Sequence, residues 1–279
     1  MQKFFVKIEN NKIAFVDEGE GFPVLFLHGF PTSSFLWKDV ISQIKNRWRC
    51  VAPDLLGLGD TKASSTDFSF EAQFEMLKKF LETLGLEKVH VVAHDQGGAI
   101  AHMLAIENPQ CVEKMVLIDI VCYNNWPVSG VKLMKALAGA PLIGKHLLGS
   151  KLLRKSASLL GGGLKKGFYD RGKISGEIIA EHERTVFSSK ERVENLIRYL
   201  KALDNKVTMR IAHQLKAISA PILVLWAEND GYLDKQWAIK LKNDIPTALG
   251  PVMIKECGHF VPWEKPEELN AVLSEFLGA

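Results

Sequence analysis

Short apolar runs of strand length alternate with stretches of helical periodicity over residues 1–120, and the same rhythm returns at Ala220. Phe4–Ile8 and Lys12–Val16 flank Glu9, Asn10 and Asn11 and predict an N-terminal hairpin. Pro23–Leu27 is fully apolar, as expected of a strand covered on both faces, and Arg49–Pro53 reads as another buried strand. Between them Ser33 or Ser34 is placed to begin a helix running toward Lys45. Apolar residues at Phe70, Phe74, Leu77, Phe80, Leu81 and Leu84 have helical spacing within Ser69–Leu84. A strand beginning at Val89 runs directly into a second helix, and Lys114–Ile118 is the next strand. Ala220–Trp226, a helix around Lys235–Lys242, Pro251–Lys255 and a helix over Pro266–Leu277 complete the pattern. Strands alternating with helices predict an α/β fold with a mostly parallel sheet covered by helices.

The alternation stops after Asp119. From Val121 to Lys216 the pattern is helical, with breaks at Gly139 and at Gly161, Gly162 and Gly163. The expected organisation is a core domain of residues 1–120 and 217–279 with an inserted helical cap domain of residues 121–216.

Composition narrows the class. Of 279 residues, 47% are apolar and 24% charged, which suits a globular chain long enough to bury a full core. A net charge of +3 gives no argument for nucleic acid. The four cysteines (Cys50, Cys111, Cys122, Cys257) are scattered without CxxC or metal-ligand spacing, as in a reduced cytoplasmic protein. Lys7 falls too early for a signal-peptide core, and no apolar run reaches the roughly 20 residues of a membrane span. Basic residues crowd the first half of the helical region, at Lys132, Lys135, Lys145, Lys151, Arg154, Lys155, Lys165, Lys166, Arg171 and Lys173, against a lone Asp170. They read as a solvated surface or as a face attracting anions.

The candidate chemistry centres on residues 89–101. A β-branched run ends at Ala93-His94-Asp95-Gln96-Gly97-Gly98, and an apolar helical pattern follows. Strand, sharp turn and helix around small-x-nucleophile-x-Gly make the setting of a nucleophile elbow, with Asp95 at its centre. Small residues suit it because the strand and helix backbones nearly touch. Two further loops fit: His28-Gly29-Phe30-Pro31 after the Pro23–Leu27 strand, and Asp54–Thr61 with its glycines. Downstream, Asp230 follows the Ile222–Trp226 strand and His259 follows the last one.

These motifs resemble the α/β-hydrolase superfamily, in the branch with an Asp nucleophile that holds epoxide hydrolases and haloalkane or haloacetate dehalogenases. The resemblance spans residues 3–120 and 217–279 and is weak over the helical region. It implies Asp95 as nucleophile, His259 as general base and Asp230 as the acid orienting it, with Asp119 as the alternative acid. It implies an oxyanion hole from the backbone N–H groups of Phe30 and Gln96. The reaction it implies is attack by Asp95 on an electrophilic carbon, then hydrolysis of the covalent ester by water that His259 deprotonates. No metal or organic cofactor is expected, since no HxxEH, dinucleotide fingerprint or Walker loop occurs. The expected partners are a small apolar electrophile and water, and the expected state is a monomer or homodimer.

The leaving group divides the branch. Dehalogenases of this branch usually place Trp after the nucleophile and often Asn after His-Gly, where this chain has Gln96 and Phe30. Haloacetate-specialised relatives place Arg at the positions of Gln96 and Ala99. Epoxide hydrolases use two tyrosines to donate to the opening ring. Tyr199 lies roughly where the second is expected, Tyr123 and Tyr169 are weaker candidates for the first, and Trp126 is a further candidate for contact with the substrate or leaving group. Epoxide hydrolysis therefore stands first, dehalogenation second. Ester or lactone hydrolysis and a ligand-binding member without catalysis stand behind them.

Overall fold

The computed structural model describes residues 1–140 and 162–278. Eight strands, β1 (Phe4–Ile8), β2 (Asn11–Glu18), β3 (Pro23–Leu27), β4 (Arg49–Pro53), β5 (Val89–Asp95), β6 (Val112–Ile120), β7 (Ile222–Ala227) and β8 (Ala248–Ile254), form one sheet. Its order is β1-β2-β4-β3-β5-β6-β7-β8. β2 pairs antiparallel with β1 and β4, and every other pairing is parallel.

Among the described residues the α-helices are α1 (Lys38–Ile44), α2 (Phe70–Thr83), α3 (Gln96–Glu107), α4 (Ser129–Gly139), α5 (Gly162–Gly167), α6 (Gly176–Val186), α7 (Lys190–Ala202), α8 (Lys206–Ile211), α9 (Gln236–Asp244), α10 (Val261–Glu264) and α11 (Pro266–Gly278). Within the described residues the strand and helix expectations hold with changed bounds, and the expected break at Gly161 lies outside them. A 3-10 turn over Ser34–Trp37, with Ser33 accepting from the Phe35 N–H, precedes α1. β6 runs through Asp119 to Ile120, beyond the expected strand. β8 begins at Ala248 rather than Pro251: Gly250 turns with φ +90° and Pro251 lacks an N–H, so pairing with β7 shifts register between Leu223 and Leu225.

The wholly apolar strands follow from a sheet buried on both faces. In β3, Leu25 and Leu27 enter one core, while Val24 and Phe26 enter the other. The first core holds Phe74, Leu77 and Phe80 of α2 and Ile100 and Leu104 of α3; the second holds Val40 and Ile41 of α1 and Leu269 and Leu273 of α11. α2 needs only one apolar stripe, and Ser69 caps it by accepting from the Ala72 N–H. α3 is apolar all round because every residue from Gln96 to Ala105 is buried.

α4 to α8 lie in the helical insert between β6 and β7. Ionic contacts tie it to the loop after β4 and to the starts of α1 and α2. Arg184 of α6 holds Asp60 bidentately at 2.6 and 2.8 Å, and Arg192 of α7 bonds the Gly59 carbonyl and Asp60. Burial pushes the Asp60 carboxyl up, but Arg184 and Lys3 outweigh it and hold it down to about 2. Lys38 pairs with Glu177 and Arg210 with Glu71. Of the basic residues noted above, Lys145, Lys151, Arg154 and Lys155 lie outside the described residues. Among the rest, Lys135 bonds the Leu203 carbonyl and Lys166 sits 5.2 Å over the Tyr232 ring.

The fold converges on the β5–α3 junction, where the chain admits no extra atom. A Cβ on Gly97 would lie 2.3 Å from the Leu27 carbonyl oxygen, and one on Gly98 would lie 2.3 Å from Ile120 Cβ. Gly97→Ala is therefore expected to destabilise the protein by about 1–3 kcal/mol, read as a lower urea midpoint. An unchanged midpoint would contradict this packing.

Candidate active site

Asp95 is the last residue of β5 and stands at φ 51°, ψ −121°, a backbone conformation L-residues rarely adopt. Close packing leaves it little alternative. A Cβ on Gly29 would lie 2.4 Å from Asp95 Cβ, so the loop after β3 presses directly against the carboxylate's stem. His28 braces that loop: its Nε2 accepts from the Leu55 N–H at 3.0 Å, which leaves Nδ1–H to donate to the Gly29 carbonyl at 2.9 Å. Burial lowers the His28 pKa to about 4, so the imidazole is neutral in this role.

The segments at the ends of three strands meet at Asp95. His259, after β8, turns Nε2 toward Asp95 Oδ2 at 3.6 Å and donates Nδ1–H to Asp230 Oδ2 at 2.8 Å. Asp230, after β7, is fixed by the N–H groups of Tyr232 and Leu233, which its Oδ1 accepts at 2.7 and 3.0 Å. The Tyr232 ring stands edge-on to the imidazole at 5.3 Å. Asp95 and His259 are each 3% exposed. Asp95 Oδ1 is buried with no hydrogen-bond partner.

Charge and burial compete at both groups. Burial raises the Asp95 pKa, and His259 together with the Gln96 backbone N–H pulls it back without cancelling the shift. Burial disfavours charge on His259, but the flanking carboxylates of Asp230 and Asp95 outweigh it and hold its pKa well above the usual range. Asp119 has a different environment. It is fully buried, its Oδ1 accepts from the Ala227 N–H at 2.8 Å, and its Oδ2 has no partner. Burial, reinforced by the charge of Asp230, pushes its carboxyl well up. Of the two acids singled out in the sequence, Asp230 therefore bonds His259, and Asp119 bonds the backbone of β7.

The remaining candidates separate. Tyr199, on α7, is fully buried, and its OH donates to Gln96 Oε1 at 2.9 Å. Its ring stacks on Phe30 at 5.0 Å and 15°. Gln96 Nε2 is buried without a partner. Tyr123 is engaged elsewhere: its OH donates to Asp244 of α9 at 2.8 Å and its ring stacks on Trp237. The sequence could not show this, because its competing partner lies 121 residues on. Tyr169 is 51% exposed. Trp126 is buried, with its Nε1–H unpartnered.

Two residues that sequence reasoning passed over stand in the same network. His94 donates Nε2–H to the His259 carbonyl at 2.8 Å, its ring 4.5 Å from the imidazole. Glu264 accepts backbone N–H bonds at the base of the His259 loop. A polar residue inside an apolar strand, and a Glu ending the run Phe260-Val-Pro-Trp, were the available signals. Among the described residues, His94, Asp119 and His259 form the one group whose donor atoms, within 4.8 Å of each other, approach metal-ligand spacing. His259 is already committed to Asp230, so the trio belongs to this hydrogen-bond network.

Comparison with known proteins bears on what such a centre does. A family model described as the alpha/beta hydrolase fold matches residues 23–142. The soluble epoxide hydrolase of Corynebacterium sp. (strain C12) is 26% identical over 275 residues, 93% of this chain and 91% of that one. Haloalkane dehalogenase 2 of Mycobacterium bovis is 38% identical over 107 residues, 38% of this chain and 37% of that protein. The crystal structure of haloalkane dehalogenase DbeA from Bradyrhizobium elkani matches with a TM-score of 0.82 at 19% identity, covering 99% of this chain and 97% of that one.

Because the Asp95 carboxylate helps to hold His259 in its charged form, Asp95→Asn is expected to lower the His259 pKa relative to wild type. Imidazole titration by NMR reads this. A pKa unchanged or raised in the variant would contradict the electrostatics described.

Proposed function

We propose that this chain, which has the α/β-hydrolase fold and hydrolase relatives along nearly its whole length, is an enzyme of that superfamily with Asp95 as its nucleophile. The supporting observation is the alignment of Asp95, His259 and Asp230, with Nε2 of the imidazole on Asp95 and Nδ1 on Asp230. An ionised carboxylate needs no base to attack. Asp95 forms a C–O bond to an electrophilic carbon of the substrate, and the leaving group departs with the bonding pair. The product is an ester on Asp95 that carries no charge. One of the two carboxylates holding up the His259 pKa is then gone, which favours the neutral imidazole a general base requires. His259 takes a proton from water, the hydroxide attacks the ester carbonyl carbon, and the tetrahedral intermediate collapses by breaking its bond to the product oxygen, which takes the proton of the added hydroxyl and leaves as the product's alcohol, restoring the Asp95 carboxylate. Asp230 orients and stabilises the imidazolium. The N–H groups of Phe30 and Gln96 serve the oxyanion, each such donor contributing about 3 kcal/mol.

The favoured substrate class is an epoxide, hydrolysed to a diol. An opening ring leaves an oxygen that must be bonded and protonated, and Tyr199 is a buried hydroxyl held beside the nucleophile through Gln96. Burial keeps that phenol protonated. Rotation of its O–H toward the ring oxygen leaves the phenol oxygen free to accept from Gln96 once the carboxamide turns over. Dehalogenation is the second reading. It is favoured by two buried donors without partners, Gln96 Nε2 and Trp126 Nε1, and by the similarity over 107 residues to a haloalkane dehalogenase. Residues 121–216 act in this account as a cap domain over a core of residues 1–120 and 217–279. The whole chain acts as a monomer or homodimer in this reading, and the four free, buried cysteines fit a cytoplasmic protein. Among the described residues no helix is long and apolar enough to cross a membrane.

The test is a parallel screen of epoxides, haloalkanes, haloacetates and activated esters on wild type and on Asp95→Asn. Diol release from epoxides, lost in Asp95→Asn, is the expected result, with an ester adduct on the Asp95 peptide in His259→Gln. Halide release without diol would favour the second reading. Turnover retained by Asp95→Asn would exclude Asp95 as nucleophile.

A further inference from the structure

Glu264 closes α10, the short helix that follows His259, and is 2% exposed. Its carboxyl group is surrounded by backbone donors. Oε1 accepts from the Gly258 N–H at 2.7 Å, and Oε2 accepts from the Asp170 N–H at 2.8 Å. The Tyr169 N–H lies 3.2 and 3.0 Å from the two oxygens. Gly258 immediately precedes His259, whereas Tyr169 and Asp170 belong to the helical insert.

The surrounding backbone is packed to its limit. A Cβ on Gly258 would stand 2.3 Å from the Gly167 carbonyl oxygen and 2.6 Å from Tyr169 N. One on Gly231, next to Asp230, would stand 2.2 Å from the Lys166 carbonyl oxygen. One on Gly167 would meet the Phe260 and Tyr232 rings at 2.5 and 2.9 Å. Residues 166–170 are therefore wedged between the loop that carries Asp230 and the loop that carries His259.

We propose that Glu264 is a positioning residue for His259: one buried carboxylate ties the imidazole's loop to the helical insert, so the alignment of the base depends on the insert being docked. The proposal rests on the reading of His259 as the general base. It explains why a carboxylate is found in an otherwise apolar turn. Three N–H groups converge there, and a carboxylate presents only acceptors, whereas a glutamine would turn an NH₂ toward one of them. Glu264 acts through the backbone, since Gly258 is the residue whose placement sets where His259 begins.

The test uses the full chain as wild type, Glu264→Gln and Glu264→Asp, followed by NMR. In Glu264→Gln, amide exchange at Gly258, Tyr169 and Asp170 is expected to accelerate by about tenfold or more. The His259 Nδ1–H resonance is expected to weaken, and its titration to move down as the imidazole drifts from Asp230. Glu264→Asp keeps the carboxylate and is expected to recover part of both signals. It also serves as the readable variant should Glu264→Gln fail to fold. Faster amide exchange with an unmoved His259 resonance and titration would reduce Glu264 to a structural role and overturn the proposal, as would unchanged exchange. None of these readouts requires a substrate. The absence of an Asp95 adduct in His259→Gln would count against the catalytic reading separately.

Discussion

A carboxylate kept from water beside an imidazole is costly unless the surrounding groups are fixed, because a buried charge is tolerated only when paired and hydrogen-bonded. Asp95 stands in such a place. Its stem is pinched against Gly29, its backbone is held at positive φ, and its carboxyl group faces His259 and the Gln96 N–H. The glycines, the apolar α3 and the two-faced sheet all serve this close approach. Gly97 and Gly98 admit no Cβ because Leu27 and Ile120 lie against them, so β3, β5, β6 and α3 must assemble together for Asp95 to take its position.

The partners of Asp95 are set from further away. Asp230 is fixed by two backbone N–H groups of its own loop, and His259 by Asp230, His94 and the packing of Gly258. That packing includes residues 166–170 of the insert. The helical insert between β6 and β7 thus touches the centre in two ways: Tyr199 bonds Gln96 next to Asp95, and the Tyr169–Asp170 backbone shares Glu264 with the His259 loop. Groups beside Asp95 and groups beside His259 are thus tied to one segment of chain.

Much of the core was legible in the sequence because its signals are local. Apolar runs bounded by turns give the strands, and Phe70 to Leu84 at helical spacing gives α2. The elbow was legible because steric crowding demands small residues at fixed offsets, and the closeness of Asp95, His259 and Asp230 followed only through family resemblance. What escaped depends on distant partners. No spacing rule gives Asp244 as the acceptor for Tyr123, or Gln96 as the acceptor for Tyr199. The choice between Asp119 and Asp230 turned on which carboxylate the β7 backbone claims at Ala227. Glu264 gave no motif, because its ligands are backbone N–H groups, which every residue but proline carries.

The origin of the oxygen delivered to the product tests the central claim most directly. A single turnover of excess enzyme in ¹⁸O-labelled water, followed by mass spectrometry of the Asp95 peptide and of the product, reads it. If Asp95 attacks and water then opens its ester at the carbonyl carbon, the label enters the Asp95 carboxylate and the first product leaves unlabelled. Label found in that product, with none in Asp95, would mean that water attacks the substrate directly, and the account of a carboxylate nucleophile would be wrong.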